Sequence, residues 1–132
     1  MAKLLVIDDD VALLELLRVH LKNAGHAVRT ASDAAEGIRA LLSDPPELIL
    51  SDISMPYLDG FELLRALRSE PLTQSIPVIF LTGRNDEDSP VKARALGVDD
   101  YLSKPIHVEE LLSSIDAVLK KTRRSVGARP LS

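Results

Sequence analysis

Two hydrophobic rhythms alternate along this chain. Residues 3–7, KLLVI, form a short run that is apolar after Lys3 and breaks at Asp8, Asp9 and Asp10. From Val11 the interval changes: Val11, Leu14, Leu17 and Leu21 recur at helical spacing until Asn23, Ala24 and Gly25 supply a stop. Residues 27–31 read as a second strand, more polar than the first and therefore placed at a sheet edge. Ser32 or Asp33 then caps a helix whose inward stripe is Ala34, Ile38, Leu41 and Leu42, closed by Pro45 and Pro46. The run Leu48, Ile49, Leu50 suits a buried strand that ends at Asp52, and Ser54, Pro56, Asp59 and Gly60 supply turn and cap chemistry. A helix over about 61–68 follows, with Phe61, Leu64 and Leu67 facing inward. After a loop over 71–77, residues 78–81 form a fourth bare apolar strand ending at Thr82. Ser89 and Pro90 read as a cap and a first-turn proline, opening a short fourth helix that ends at Gly97. Tyr101 and Leu102 form a brief fifth strand ending at Ser103, Lys104 and Pro105. The last helix begins near Val108 and turns Leu111, Leu112, Ile115, Val118 and Leu119 inward.

Strand and helix thus alternate five times, which predicts an α/β fold: a parallel sheet covered on both faces, a three-layer αβα sandwich. At 132 residues the chain makes one domain with one core. The absence of cysteine excludes disulfides, cysteine-zinc sites and thiol chemistry. No apolar run approaches the roughly 18 residues of a membrane span, and the N-terminus has no signal-peptide pattern. A cytoplasmic protein without membrane contact is expected.

Charge divides the chain unevenly. Residues 120–132 hold Lys120, Lys121, Arg123, Arg124 and Arg129 and no acid, which leaves 11 basic and 20 acidic side chains in residues 1–119. A body of charge −9 is a poor nucleic-acid binder, so none is expected for this domain. Basic residues suit the last turn of a helix, and residues 122–132 read as a basic tail or linker stub behind a domain over 1–121.

The strand ends carry the candidate chemistry. In a parallel sheet every C-terminal strand end lies on one edge, so Asp8, Asp9, Asp52, Thr82 and Lys104 gather in one cleft. Two or three carboxylates at close range repel unless a cation compensates, and a hard divalent ion with oxygen ligands does so. Mg²⁺ is typically held by one or two carboxylates, waters and a phosphate. The Lys104 ammonium suits a phosphoryl oxygen, and the Thr82 hydroxyl can donate to another. The chemistry that follows is phosphoryl transfer, with Asp52 as nucleophile. Asp10 reads only as a helix cap. His20, His26 and His107 have no ligand spacing and read as surface or packing residues.

These residues lie within motifs that resemble the receiver domain of two-component response regulators: VIDDD at 6–10, SDISMPYLDG at 51–60, LTG at 81–83 and GVDDYLSKP at 97–105. The likeness runs from residue 2 to about 122. It implies a flavodoxin-like (βα)5 fold with strand order 2-1-3-4-5. It further implies that Asp52 is the phosphoacceptor, that Asp9 binds Mg²⁺ directly and Asp8 through water, and that the Ser54 backbone carbonyl completes the metal site, where Mn²⁺ can substitute. Lys104 is implied to bridge acceptor and phosphoryl oxygens, with a cis Lys104–Pro105 bond. Thr82 and Tyr101 are implied as the switch pair, and Ser54 and Arg84 as positions that tune phosphoryl lifetime.

The function implied is a phosphorylation-activated signalling switch rather than an enzyme with turnover. A sensor histidine kinase or phosphotransfer protein donates the phosphoryl group. The surface made by the fourth predicted helix, the fifth strand and the last helix then controls an output domain or target, with homodimerisation through the two helices as a further expectation. Pro90 is expected to shorten the fourth helix or shift its entry. An aspartyl phosphohydrolase of the dehalogenase type is a rival, but it needs a second acid two residues after the nucleophile, where this chain has Ser54. A docking module that is never phosphorylated is a second rival, against which the intact Asp8, Asp9, Asp52, Thr82 and Lys104 set argues.

Overall fold

The computed structural model describes residues 2–53, 60–83 and 97–128. Five strands, β1 (Lys3–Ile7), β2 (Ala27–Ala31), β3 (Leu48–Asp52), β4 (Val78–Thr82) and β5 (Asp100–Ser103), form one sheet. All pairings are parallel, in the flavodoxin-like order β2-β1-β3-β4-β5. Helices α1 (Val11–Asn23), α2 (Ala34–Ser43) and α3 (Gly60–Ser69) and a C-terminal helix (Val108–Ala128) complete the described elements. The predicted fourth helix and Pro90 lie outside the described residues.

The central strands are apolar on both faces because helices cover both. Leu4, Val6, Leu48, Leu50, Ile79 and Leu81 face a cluster shared with α1 and the C-terminal helix. Leu5, Ile7, Ile49, Val78 and Phe80 alternate to the other side and meet α2 and α3. There Phe61 packs edge-on against Phe80, with ring centroids 5.4 Å apart. Each fully buried leucine or isoleucine in these layers contributes about 1.5–3 kcal/mol relative to exposure. The more polar β2 is an edge strand, as its composition predicts.

Local chemistry sets the helix ends. Asp10 caps α1 by accepting from the Leu13 N–H at 3.1 Å, and Asp33 caps α2 by accepting from the Glu36 N–H at 2.7 Å. Beyond α1 the chain turns at Gly25, whose φ of +97° suits a residue without Cβ. Arg29 of β2 donates to the Ala40 carbonyl at 2.9 Å and to the Asp44 carbonyl, tying β2 to the end of α2.

One expected core position is corrected, and one position on the helical interval is exposed. Leu42 is 73% exposed, because the line of α2 that meets the sheet is Ala34, Gly37 and Leu41. Leu42 is turned about 100° from Leu41, toward the groove between α2 and α3. Val11 is 67% exposed: as the first residue of α1 it precedes the buried positions Leu14, Leu17 and Leu21. In α3, Leu63 joins Leu64 and Leu67 in the core. The C-terminal helix runs through Ala128, into the basic stretch read as tail, with no glycine or proline before Gly127 to stop it.

Candidate functional site

The sheet order brings the polar strand ends to one edge. Asp8 leaves β1 still held to its neighbour, its N–H donating to the Ala31 carbonyl at 3.1 Å. Asp52 is the last residue of β3 and pairs with Leu81 of β4, while Thr82 pairs with Ser103 of β5. The Lys104 N–H donates to the Thr82 carbonyl at 2.7 Å, which fixes the loop that carries the lysine. The Lys104–Pro105 bond is cis, as expected from the resemblance.

Lys104 Nζ lies 3.0 Å from Asp8 Oδ2 and 3.6 Å from Asp52 Oδ2. Asp8, Asp52 and Thr82 are buried, whereas Asp9 is exposed at the rim. Asp8 Oδ1 accepts from the Asp10 N–H at 2.9 Å. The Thr82 hydroxyl donates to the Leu102 carbonyl over a long 3.4 Å, a weak hold on a group that can turn elsewhere. Tyr101 is half-buried against the cluster beneath α2 and α3.

Burial pushes the Asp8 carboxyl above its ordinary range and the Asp9 charge adds to this, while the Asp10 N–H and Lys104 oppose it. For Lys104, burial acts downward, but Asp8 and Asp52 outweigh it and its pKa is raised.

The donor set fits a hard divalent cation. Asp8, Asp9 and Asp52 each offer a carboxylate oxygen, and these atoms lie within 4.8 Å of one another. Asp8 Oδ2 is buried and, although the Lys104 ammonium is close, receives no well-directed hydrogen bond. Three carboxylates against one ammonium leave negative charge uncompensated, and oxygen ligands are what Mg²⁺ takes. Ser54 and Arg84 lie outside the described residues.

One polar contact at the site carries no mark in the sequence. The buried Ser51 hydroxyl donates to the Asp52 carbonyl at 3.0 Å, but a serine inside an apolar strand reads simply as a tolerated small residue.

Comparison with known proteins agrees with this geometry. The family model of the response regulator receiver domain matches residues 4–116. The chain belongs to the response regulator receiver family. This receiver domain is 37% identical over 124 residues to the DNA-binding dual master transcriptional regulator RpaA of Synechocystis, covering 94% of this chain and 52% of that protein. It is 40% identical over 126 residues to the response regulator MprA of Mycolicibacterium vanbaalenii, covering 96% and 54%. A crystal structure of a receiver domain protein from Clostridium thermocellum superposes with a TM-score of 0.87 at 32% identity, covering 93% of this chain and 98% of that one. The chain spans about half the length of the curated relatives it matches. As a receiver domain it is a regulatory module of two-component systems. Among the described residues no helix is long and apolar enough to cross a membrane.

Proposed function

We propose that this receiver domain is a phosphorylation-activated switch whose phosphoacceptor is Asp52. The observation that carries the reading is Lys104 Nζ standing between Asp8 and Asp52 at the C-terminal sheet edge, beside a third carboxylate, Asp9. An Asp52 oxygen attacks phosphorus of a phosphohistidine, the P–N bond breaks, the imidazole leaves with the bonding electrons, and an acyl phosphate forms. Lys104 holds a phosphoryl oxygen by charge, and the Thr82 hydroxyl turns from the Leu102 carbonyl to donate to another. Asp8, Asp9 and Asp52, with the Ser54 carbonyl, would hold Mg²⁺ or Mn²⁺, which supplies the charge neutralisation that lets three carboxylates meet a phosphoryl group. Ser54, two residues after Asp52, and Arg84, two residues after Thr82, set how readily water reaches the acyl phosphate.

The donor is a sensor histidine kinase or a phosphotransfer protein in the cytoplasm. Movement of Thr82 releases Tyr101 to a second rotamer, and phosphorylation shifts the population of a two-state surface around β5 and the flanking helices toward an output domain, a target or a second copy. The domain itself turns over no substrate beyond its own phosphotransfer and slow dephosphorylation.

The test is intact mass after incubation with Mg²⁺ and acetyl phosphate. Gain of one phosphoryl group by the wild type, absent without Mg²⁺ and absent in Asp52→Asn, is expected. Steady release of phosphate without a phosphorylated protein, or labelling that persists in Asp52→Asn, would refute the assignment.

A further inference from the structure

β5 is four residues long, lies at the sheet edge, and buries only Leu102. Its own side chains therefore do little to hold it, yet it carries Tyr101 and leads into Lys104. Its start is fastened by polar contacts instead. Asp99 Oδ2 accepts from the Val78 N–H at 2.8 Å and faces Arg68 Nη2 at 3.5 Å. The next residue, Asp100, makes a different connection. One of its oxygens, Oδ1, accepts from the Tyr101 N–H at 2.8 Å, and the other, Oδ2, accepts from the Ser114 hydroxyl of the C-terminal helix.

Ser114 stands out on that helix. Among the described side chains of that helix, the buried positions are Leu111, Ser114, Ile115, Val118 and Leu119, so Ser114 is a polar member of an otherwise apolar stripe. A hydroxyl placed there costs stability unless it is bonded, and a bond to a carboxylate is about twice as strong as a neutral one. Apolar contacts with Leu111, Ile115 and Leu119 are non-directional and let a helix slide or roll slightly. The Ser114–Asp100 bond is directional, and its acceptor is the same carboxylate that holds the Tyr101 amide. A shift of the Tyr101 backbone therefore moves Ser114 or breaks one of the two bonds to Asp100.

We propose that Asp100 and Ser114 are positioning residues that couple the switch aromatic Tyr101 to the C-terminal helix, so that a change of state at Asp52 reaches this helix through a single shared carboxylate. The inference rests on the phosphoacceptor reading of Asp52 and on Tyr101 as its reporter. The two-state element is β5, biased at one end by the phosphoryl site and tied by Asp100 to the helix.

The experiment uses the full chain with Mg²⁺ and acetyl phosphate, reading phosphoryl gain by intact mass and amide hydrogen exchange over residues 108–122. In the wild type, phosphorylation changes exchange across this helix. Ser114→Ala is expected to take up the phosphoryl group as the wild type does but to lose the helix response about twofold or more, and Asp100→Asn to act in the same direction. Ser114→Thr, which keeps the hydroxyl, restores the response. Removal of packing alone would instead raise exchange in both states and leave their difference intact. A full helix response in Ser114→Ala or Asp100→Asn overturns the coupling, as does a phosphorylated wild type whose helix does not respond. A wild type that gains no phosphoryl mass refutes the functional reading first, and the coupling falls with it.

Discussion

Asp8→Asn is expected to stabilise the metal-free protein, and the size of the gain follows from the site. Asp8 is fully buried, with Lys104 Nζ at 3.0 Å and carboxylate oxygens of Asp9 and Asp52 within 4.8 Å. At an effective dielectric constant of about 20, the lysine attracts it by about 5.5 kcal/mol and each carboxylate at 4.8 Å repels it by about 3.5 kcal/mol. Exposure of Asp9 to water weakens its share, so attraction and repulsion roughly cancel. The desolvation of the carboxylate, several kcal/mol for a buried ion, is then left without an offset. Asparagine keeps the shape and can keep the bond from the Asp10 N–H, and Lys104 retains Asp52 at 3.6 Å. A gain of about 2 kcal/mol is expected, which for a domain of this size raises Tm by about 7 °C. The pH dependence has a definite sign. The folded-state pKa of Asp8 is raised above its ordinary value of 3.8, so its contribution is fully present below that value and is lost as pH rises through the folded pKa. The variant's advantage should therefore be small in acid and open as the solution becomes neutral. Mg²⁺ acts oppositely, stabilising the wild type by RT ln(1 + [Mg²⁺]/Kd) and the variant much less. Urea unfolding followed by circular dichroism, across pH and with either EDTA or millimolar Mg²⁺, reads all of this. A variant less stable than the wild type at neutral pH in EDTA, or one that Mg²⁺ stabilises equally, would refute the reasoning.

Neighbouring leucines on α2 should behave differently: Leu41→Ala should cost about 2–5 kcal/mol and Leu42→Ala well under about 1 kcal/mol in urea unfolding, since only the first is buried. Gly37→Ala should destabilise by about 1 kcal/mol despite the better helix propensity of alanine, because its Cβ would sit 2.6 Å from Ile7 Cδ1. Adding Ile7→Val should recover most of that loss, and independent additive costs in the double variant would show that the contact is not the cause. Arg68→Met should cost about 2 kcal/mol and speed amide exchange at 97–99. The guanidinium donates to the Ile76 carbonyl at 2.7 Å and the Gly97 carbonyl at 3.2 Å, and it faces Asp99. Unchanged exchange there would remove Arg68 from its role in holding the entry to β5.

Why the site is more legible than the packing follows from what each asks of the sequence. A buried carboxylate cannot sit within an apolar strand without partners, so Asp8 and Asp52 had to mark strand ends, and parallel order then places every such end on one edge. Thr82 and Lys104 follow from the same rule. The facing of α2 is harder, because Gly37 carries the close approach to Ile7 yet contributes nothing to an apolar count, and Leu42 satisfies the helical interval while lying beside the covered line. Val11 shows the same limit, since spacing says which positions align but not whether a neighbour stands opposite. The Arg68–Asp99 and Ser114–Asp100 contacts join side chains 31 and 14 residues apart, and no period relates them. Such contacts arise only once the layers have closed. The strand-end cluster depends on topology alone, but the ties that hold β5 to its neighbours depend on pairs that topology merely permits. That division places the strand-end cluster around Asp52 within reach of sequence reasoning and leaves the contact between Asp100 and the C-terminal helix to be read from the folded chain.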